Sequence, residues 1–208
     1  MLDRDYHEQL WESVPAGIEP PDFERRRRFL LERIERGERV LDVGCGEAWF
    51  TVELERTGAQ PVGVDVAREP LRRAHAHHPN LDLRLLDLLA PWPLENASFD
   101  AAWAGEVIEH VADTAGWLSE LRRVLRPGGK LLLSTPDHGR LHMLGLALST
   151  RAFDAHFDPC SDHLRFYTRR TLTKLLHEFG FQDVELSRAG EGLGASRTLL
   201  VYARRSRF

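Results

Sequence analysis

With 208 residues, 29% of them charged and 42% hydrophobic, the chain has the length and balance of one globular domain with a sizeable core. A formal net charge of −4 gives no global pull toward nucleic acid, and two cysteines make no disulfide framework. No apolar run approaches the roughly 20 residues that span a bilayer, and the acidic N-terminus lacks a signal segment, so the cytoplasm is the expected location.

Helical patterns open the chain, over Tyr6 to Ser13 and over Asp22 to Arg36, and Gly37 suits the end of the second. Residues 1–37 therefore read as a helical cap. Arg25 to Arg28 fall among glutamates in the second helix, the pattern of a solvated face. Strand-like and helix-like pieces then alternate, which predicts a parallel sheet wrapped by helices in a single α/β domain over 1–208. "RVLDV" is the first strand and "AWFTVELERTG" a helix closed by Gly58. "PVGVDV" is the second strand, and Pro70 sits in the first turn of the next helix, where proline lacks no needed donor. "LDLRLLDL" and "FDAAWAGE" are the third and fourth strands. "TAGWLSELRRVL" is an amphipathic helix stopped by "RPGG", and "KLLLSTP" is the fifth strand. Residues 137–163 read as irregular, an insertion long enough for a lid or substrate loop. Thr168 can cap the helix that ends at Gly180, and "FQDVELSRAG" and "RTLLVYARR" close the chain as an antiparallel pair.

"VLDVGCGEAWF" joins the first strand to the first helix after it. Gly44 and Gly46 let the backbone turn and come close to a ligand, with Cys45 small between them, and the helix N-terminus behind offers free N–H groups. A dinucleotide fingerprint would want a third glycine where Trp49 stands, and Asp42 replaces an apolar strand residue. A carboxylate at Asp42 suits a ligand with a cationic end. Asp65, ending the second strand ahead of Val66, can accept from a ribose diol or cap the following helix. Asp87, ending the third strand, can accept from an adenine amino group with Leu88 against the ring, or be a turn aspartate.

"VLDVGCGEAWF", "VGVDVA", "LLDLLAPWPLENASFDAAWAGEVIEHV" and "LRRVLRPGGKLLLSTP", in this order and spacing, resemble the successive motifs of the class I S-adenosylmethionine-dependent methyltransferases. The resemblance implies a doubly wound, Rossmann-like seven-stranded sheet, order 3-2-1-4-5-7-6 with strand 7 antiparallel. It implies S-adenosylmethionine as cofactor, held by Asp42, Gly44, Cys45, Gly46, Asp65, Val66, Asp87 and Leu88, with Ala104 and Gly105 along its methionine moiety. Glu47 and Trp49 depart from the small residues common after the second glycine.

Glu106, Glu109 and His110, in "GEVIEHV", follow the fourth strand at the edge where open α/β sheets bind ligands. On a helix they would share one face. Two carboxylates brought together in a cleft call for a cation. Within the superfamily the stretch resembles the ubiquinone-biosynthesis O-methyltransferases. It also resembles the small-RNA 2′-O-methyltransferases, whose Glu-x-x-Glu-His holds a divalent ion with a later histidine, a place His163 would take here. Two readings stand side by side. In one, His110 or His163 is the general base and Glu106 touches the cofactor. In the other, Glu106, Glu109, His110 and His163 hold Mg²⁺ or Mn²⁺. Either way the expected reaction is in-line methyl transfer to an oxygen of a small-molecule acceptor, with Met143, Phe153 and Phe157 keeping water out of the 137–163 lid and Trp11 and Tyr6 closing the other side. His138, His142 and His156 are placed to line a substrate pocket. An RNA, polysaccharide or lipid acceptor, or a module that binds the cofactor without turnover, are the alternatives; the oligomeric state is not readable.

Overall fold

The computed structural model describes residues 2–86, 91–158, 161–189 and 198–207. Two helices lead, α1 (Leu2–Ser13) and α2 (Phe23–Leu31). The alternation follows: β1 (Arg39–Val43), α3 (Trp49–Arg56), β2 (Gln60–Asp65), α4 (Arg68–His77), β3 (Asp82–Leu85), β4 (Phe99–Gly105), α5 (Thr114–Val124) and β5 (Leu125–Pro136). Then come α6 (Arg140–Ala147), α7 (Thr150–His156), α8 (Arg169–Glu178), β6 (Phe181–Arg188) and β7 (Thr198–Arg205). The seven strands form one sheet in the order β3-β2-β1-β4-β5-β7-β6, and β7 runs antiparallel to both neighbours. That is the topology implied by the motifs.

The sheet is buried on both faces, which is why its central strands are nearly continuous apolar runs. Leu41, Val43, Val64, Ala104, Leu131 and Leu133 face α5 and α8 through Trp117, Leu118, Leu121, Leu172 and Leu176. Val40, Ala101, Trp103 and Leu132 face α2 and α3 through Phe29, Leu30, Phe50 and Leu54. Period-two alternation puts Asp42 on the second face, beside Trp103 in register, although it is a carboxylate at 2% exposure. The parallel register sets Val43 against Val64 and Ala104, so the ends of β1, β2 and β4 form one continuous edge.

Four expectations change. First, α2 stops at Leu31, short of Arg36. Second, Arg26 in the arginine run is buried at 2% exposure, its guanidinium packed against the Phe50 and Trp103 rings. It lies on the α2 stripe of Phe23, Phe29 and Leu30, so helical spacing outweighs the polarity of its neighbours. Third, β5 begins at Leu125 and runs through "RPGG", with a register slip opposite Phe99–Ala101 that absorbs the turn residues. Fourth, the stretch after β5 is not irregular; Ser149 caps α7 by accepting from the Ala152 N–H. Thr168 caps α8 as its position predicts, with a reciprocal Thr171 bond. Among the described residues no helix is long and apolar enough to cross a membrane.

Candidate active site

The glycine loop folds back on β2. The N–H groups of Gly44 and Cys45 both donate to the Val64 carbonyl, at 2.8 and 3.0 Å. Gly44 and Gly46 sit at φ +68° and +54°, and a Cβ at Gly44 would meet Val107 at 2.6 Å, so the turn needs glycine there for conformation and for space. Asp65 ties this loop to the next helix. One oxygen accepts from the Gly46 N–H and the other from the Ala67 N–H, each at 2.9 Å. The capping role is therefore present, and each oxygen keeps a further lone pair for a diol. Burial pushes the Asp65 carboxyl up, and the backbone N–H groups hold it down. Val66 beside it is half-buried, and Cys45 is buried with a free thiol that burial raises well above its usual range. Asp42 receives the Thr51 hydroxyl at 2.6 Å, and burial lifts its carboxyl to about 7.

The residues that break the usual pattern after the loop bolt on the N-terminal segment. Glu47 accepts from the Gly17 N–H at 2.8 Å and pairs with Arg73 at 3.0 Å, while Trp49 packs edge-on against Phe23. Arg73 also donates to the carbonyls of Trp11 and Val14. Glu8 takes the N–H groups of Arg68 and Glu69, capping α4 from outside at 2.6 and 3.0 Å. The Trp11 ring lies over Gly46, 3.0 Å from where a Cβ would stand. Tyr6 is more exposed, at 42%.

Arg26 is a site residue that sequence reasoning missed. Its Nη1 donates to the Pro21 carbonyl at 3.1 Å, its Nη2 fills the space a Cβ at Gly105 would need, and its buried Nε has no hydrogen-bond partner. Burial lowers its pKa while Glu106, Glu109 and Asp42 raise it. The spacing Phe23-Arg26-Phe29-Leu30 was the available signal. Ala104 is fully buried with its methyl in the core, so only its main chain can face a ligand, whereas Gly105 is half-exposed.

Glu106, Glu109 and His110 are not on a common helix. Glu106 is left-handed at φ +57°, and only a short 3₁₀ turn, Ile108–His110, follows. Glu106 turns to β5, where it accepts from the Ser134 hydroxyl at 2.7 Å. Glu109 is fully buried; Oε2 accepts from Thr135 at 2.9 Å, and Oε1 has no hydrogen-bond partner, with Nε2 of His110 3.9 Å away. Burial first, then Glu106, pushes its carboxyl up to about 8.

The Glu109 carbonyl takes the N–H groups of both Leu164 and Arg165, at 2.9 and 3.0 Å. This docks the segment before α8 onto the 3₁₀ turn and sets the His110 and His163 rings 4.9 Å apart, edge to face. Glu109, His110 and His163 each bring one ligand atom to within 4.8 Å of the others. Glu106 is outside that group. Asp87 and Leu88, as well as Cys160, lie outside the described residues.

Residues 16–186 match the family model described as "Methyltransferase domain". The chain is 32% identical to the malonyl-[acyl-carrier protein] O-methyltransferase of Erwinia billingiae over 87% of its length and 73% of that protein. It is 32% identical to the ubiquinone biosynthesis O-methyltransferase of Dinoroseobacter shibae over 72% of its length and 62% of that protein. The chain thus spans less than two thirds of some of the curated relatives it matches. Its fold is similar to that of 1,6-didemethyltoxoflavin-N1-methyltransferase from Burkholderia thailandensis, solved with S-adenosylhomocysteine and 1,6-didemethyltoxoflavin, at a TM-score of 0.74, 18% identity and coverage of 99% of this chain and 87% of that one.

Proposed function

Because the chain belongs to the methyltransferase-domain family of S-adenosylmethionine-dependent enzymes, we propose that it methylates an oxygen of a small-molecule acceptor, with His110 as general base. The observation that carries this reading is one continuous edge bearing the glycine loop, the buried Asp65 and Arg26, and His110. The residues fit the ribose and methionine portions of the cofactor. Asp65 offers acceptors to a ribose, the Gly44–Gly46 turn leaves room for close approach, and the buried, unpartnered Nε of Arg26 meets the need of a methionine carboxylate. S-adenosylmethionine, when bound, supplies a methyl group on a positively charged sulfur, which an acceptor oxygen displaces in line. For that transfer His110 would take the acceptor proton at Nε2.

The chain's own contribution is positioning and dryness. Trp11 and the Glu8 cap hold α1 over the glycine loop, and α6 and α7 rise from the end of β5 as the lid, with Phe153 and Phe157 at its rim. Proton removal by a placed imidazole contributes about 10²–10⁴-fold. The arginine run offers little to a polyanion, since Arg26 is internal and Arg27 is paired with Glu53, which favours a small acceptor over RNA. Calorimetric titration with S-adenosylhomocysteine tests the reading. One site weakened by Asp65→Ala supports it; no binding, or binding of a nicotinamide dinucleotide instead, ends it.

A metal-assisted version has its own observation, the convergence of Glu109, His110 and His163 with one Glu109 oxygen lacking a hydrogen bond. Those three would hold a divalent ion, Mg²⁺ or Mn²⁺, which would lower the pKa of a nearby acceptor hydroxyl. Turnover that survives exhaustive chelation removes this version and leaves His110 as the base.

A further inference from the structure

Three more histidines form a cluster of their own. His138 follows β5, His142 lies one turn into α6, and His156 ends α7. Their ring centres are 5.2 Å (His138–His156), 5.6 Å (His142–His156) and 6.2 Å (His138–His142) apart. Three imidazoles on one tetrahedral ion, with nitrogens about 2.0–2.1 Å from it, hold their ring centres roughly 5 Å apart. Two of the three separations are within about 0.6 Å of that figure, and the third exceeds it by about 1 Å.

The backbone fixes ring positions more firmly than ring rotation, because χ2 of histidine is broad. Turning the rings would point one nitrogen of each inward. Such turning is needed: as placed, the only described group whose ligand atoms all lie within 4.8 Å is Glu109, His110 and His163. A second observation points to a ligand. Nδ1 of His138 is buried, in a residue only 6% exposed, and has no hydrogen-bond partner. Phe166 packs on both His138 and His156, and Phe157 on His156, closing one side to water. A cage of imidazoles without a carboxylate selects a borderline transition metal over Mg²⁺ or Ca²⁺.

We propose that His138, His142 and His156 form a second metal site, for an ion of the Zn²⁺ class, that clips α6 to α7. The clip would be anchored to the sheet, since His138 donates its N–H to Tyr167 at 2.9 Å and Asp137 bridges to the same residue. The ion would hold the lid hairpin together, with one coordination position left for water.

Metal-free protein titrated with Co²⁺ tests this through the visible absorption of the bound ion. One four-coordinate ion is expected, weakened by more than roughly 100-fold in His142→Ala and in His156→Ala, and retained in His163→Ala. Extended X-ray absorption on His163→Ala loaded with one equivalent of cobalt, in which the Glu109 group is a ligand short, should count three imidazoles and no carboxylate. Binding only in the millimolar range, cobalt lost with His163→Ala but kept in His156→Ala, or a carboxylate in the first shell overturns the proposal. No arm involves methyl transfer, so the two readings stand or fall separately.

Discussion

Nδ1 of His110 lies 2.9 Å from the main-chain oxygen of Asp162. A carbonyl can only accept, so Nδ1 carries the hydrogen and the lone pair sits on Nε2, the nitrogen 3.9 Å from Oε1 of Glu109. Burial lowers the pKa of the ring from its usual 6.5, so the ring is neutral and able to take a proton at neutral pH. His110→Ala should therefore cut kcat by about 10²–10⁴-fold while S-adenosylhomocysteine affinity stays within about twofold. In the wild type the rate should fall only as pH drops below 6.5, through the lowered pKa, because only the neutral ring is a base. Steady-state rates and calorimetry on the same samples check it. Equal losses of turnover and affinity would move His110 from catalysis to binding.

Asp65 holds the loop and the next helix together through the Gly46 and Ala67 N–H groups. Asp65→Ala deletes both bonds and the ribose acceptor at once. Hydrogen bonds to a charged acceptor contribute about 1.5–3 kcal/mol each, so S-adenosylhomocysteine should bind about 10–100-fold more weakly. Asp65→Asn tells the two jobs apart. It should keep the helix cap in part, hold the melting temperature near wild type, and still lose ligand affinity. An asparagine variant with full affinity would remove Asp65 from the ribose.

Among the described residues Arg26 is the buried cation set among Asp42, Glu106 and Glu109. Arg26→Met fills similar volume but leaves those carboxylates without their counter-charge. Melting temperature should fall, and S-adenosylhomocysteine affinity should fall by at least about tenfold. A ligand with the methionine portion removed, 5′-methylthioadenosine, should lose almost nothing, because it has no carboxylate to miss. Equal losses for both ligands in calorimetry would make Arg26 a packing residue only.

The sheet was legible because its strands are separated by helices with clean stop signals, Gly58 and Gly180, and because order and register follow from burial on both faces; Gly37, read as another, lies beyond a helix that had already ended at Leu31. Arg26 was hidden by its neighbours, since three arginines turned outward mask one that sits on the apolar stripe. The spacing of Glu106, Glu109 and His110 suggested a helix, yet the left-handed Glu106 breaks it, and the partner that orients His110 comes from Asp162, 52 residues on. Local spacing carries no record of such a contact. The α6–α7 hairpin was missed for a related reason: with Leu144 and Leu148 exposed at 60% and 83%, its apolar residues mark no single buried face for a periodicity to show.

Glu109 makes stability depend on pH in a direction opposite to the usual carboxylate. Its folded pKa of about 8 lies above the ordinary 4.5, so between those values the folded state binds the extra proton. Stability from this group is then complete below pH 4.5 and is lost as pH rises through 8. Glu109→Gln keeps an acceptor for the Thr135 hydroxyl and cannot ionise, so it removes this slope without a change of shape. Asp42, lifted to about 7, adds a slope of its own, but both proteins share it and it cancels in the comparison. For a chain of this length each kcal/mol moves Tm by about 2–4 °C. The melting temperature of Glu109→Gln minus that of wild type, measured in chelator, should therefore climb by several degrees from pH 5 to pH 8.5. Parallel curves would mean that Glu109 ionises freely in the folded protein, which would require a cation or water against Oε1. Repeating the scan with added Mn²⁺ decides between them, since an ion that holds Glu109 ionised flattens the wild-type slope and leaves the glutamine variant unmoved.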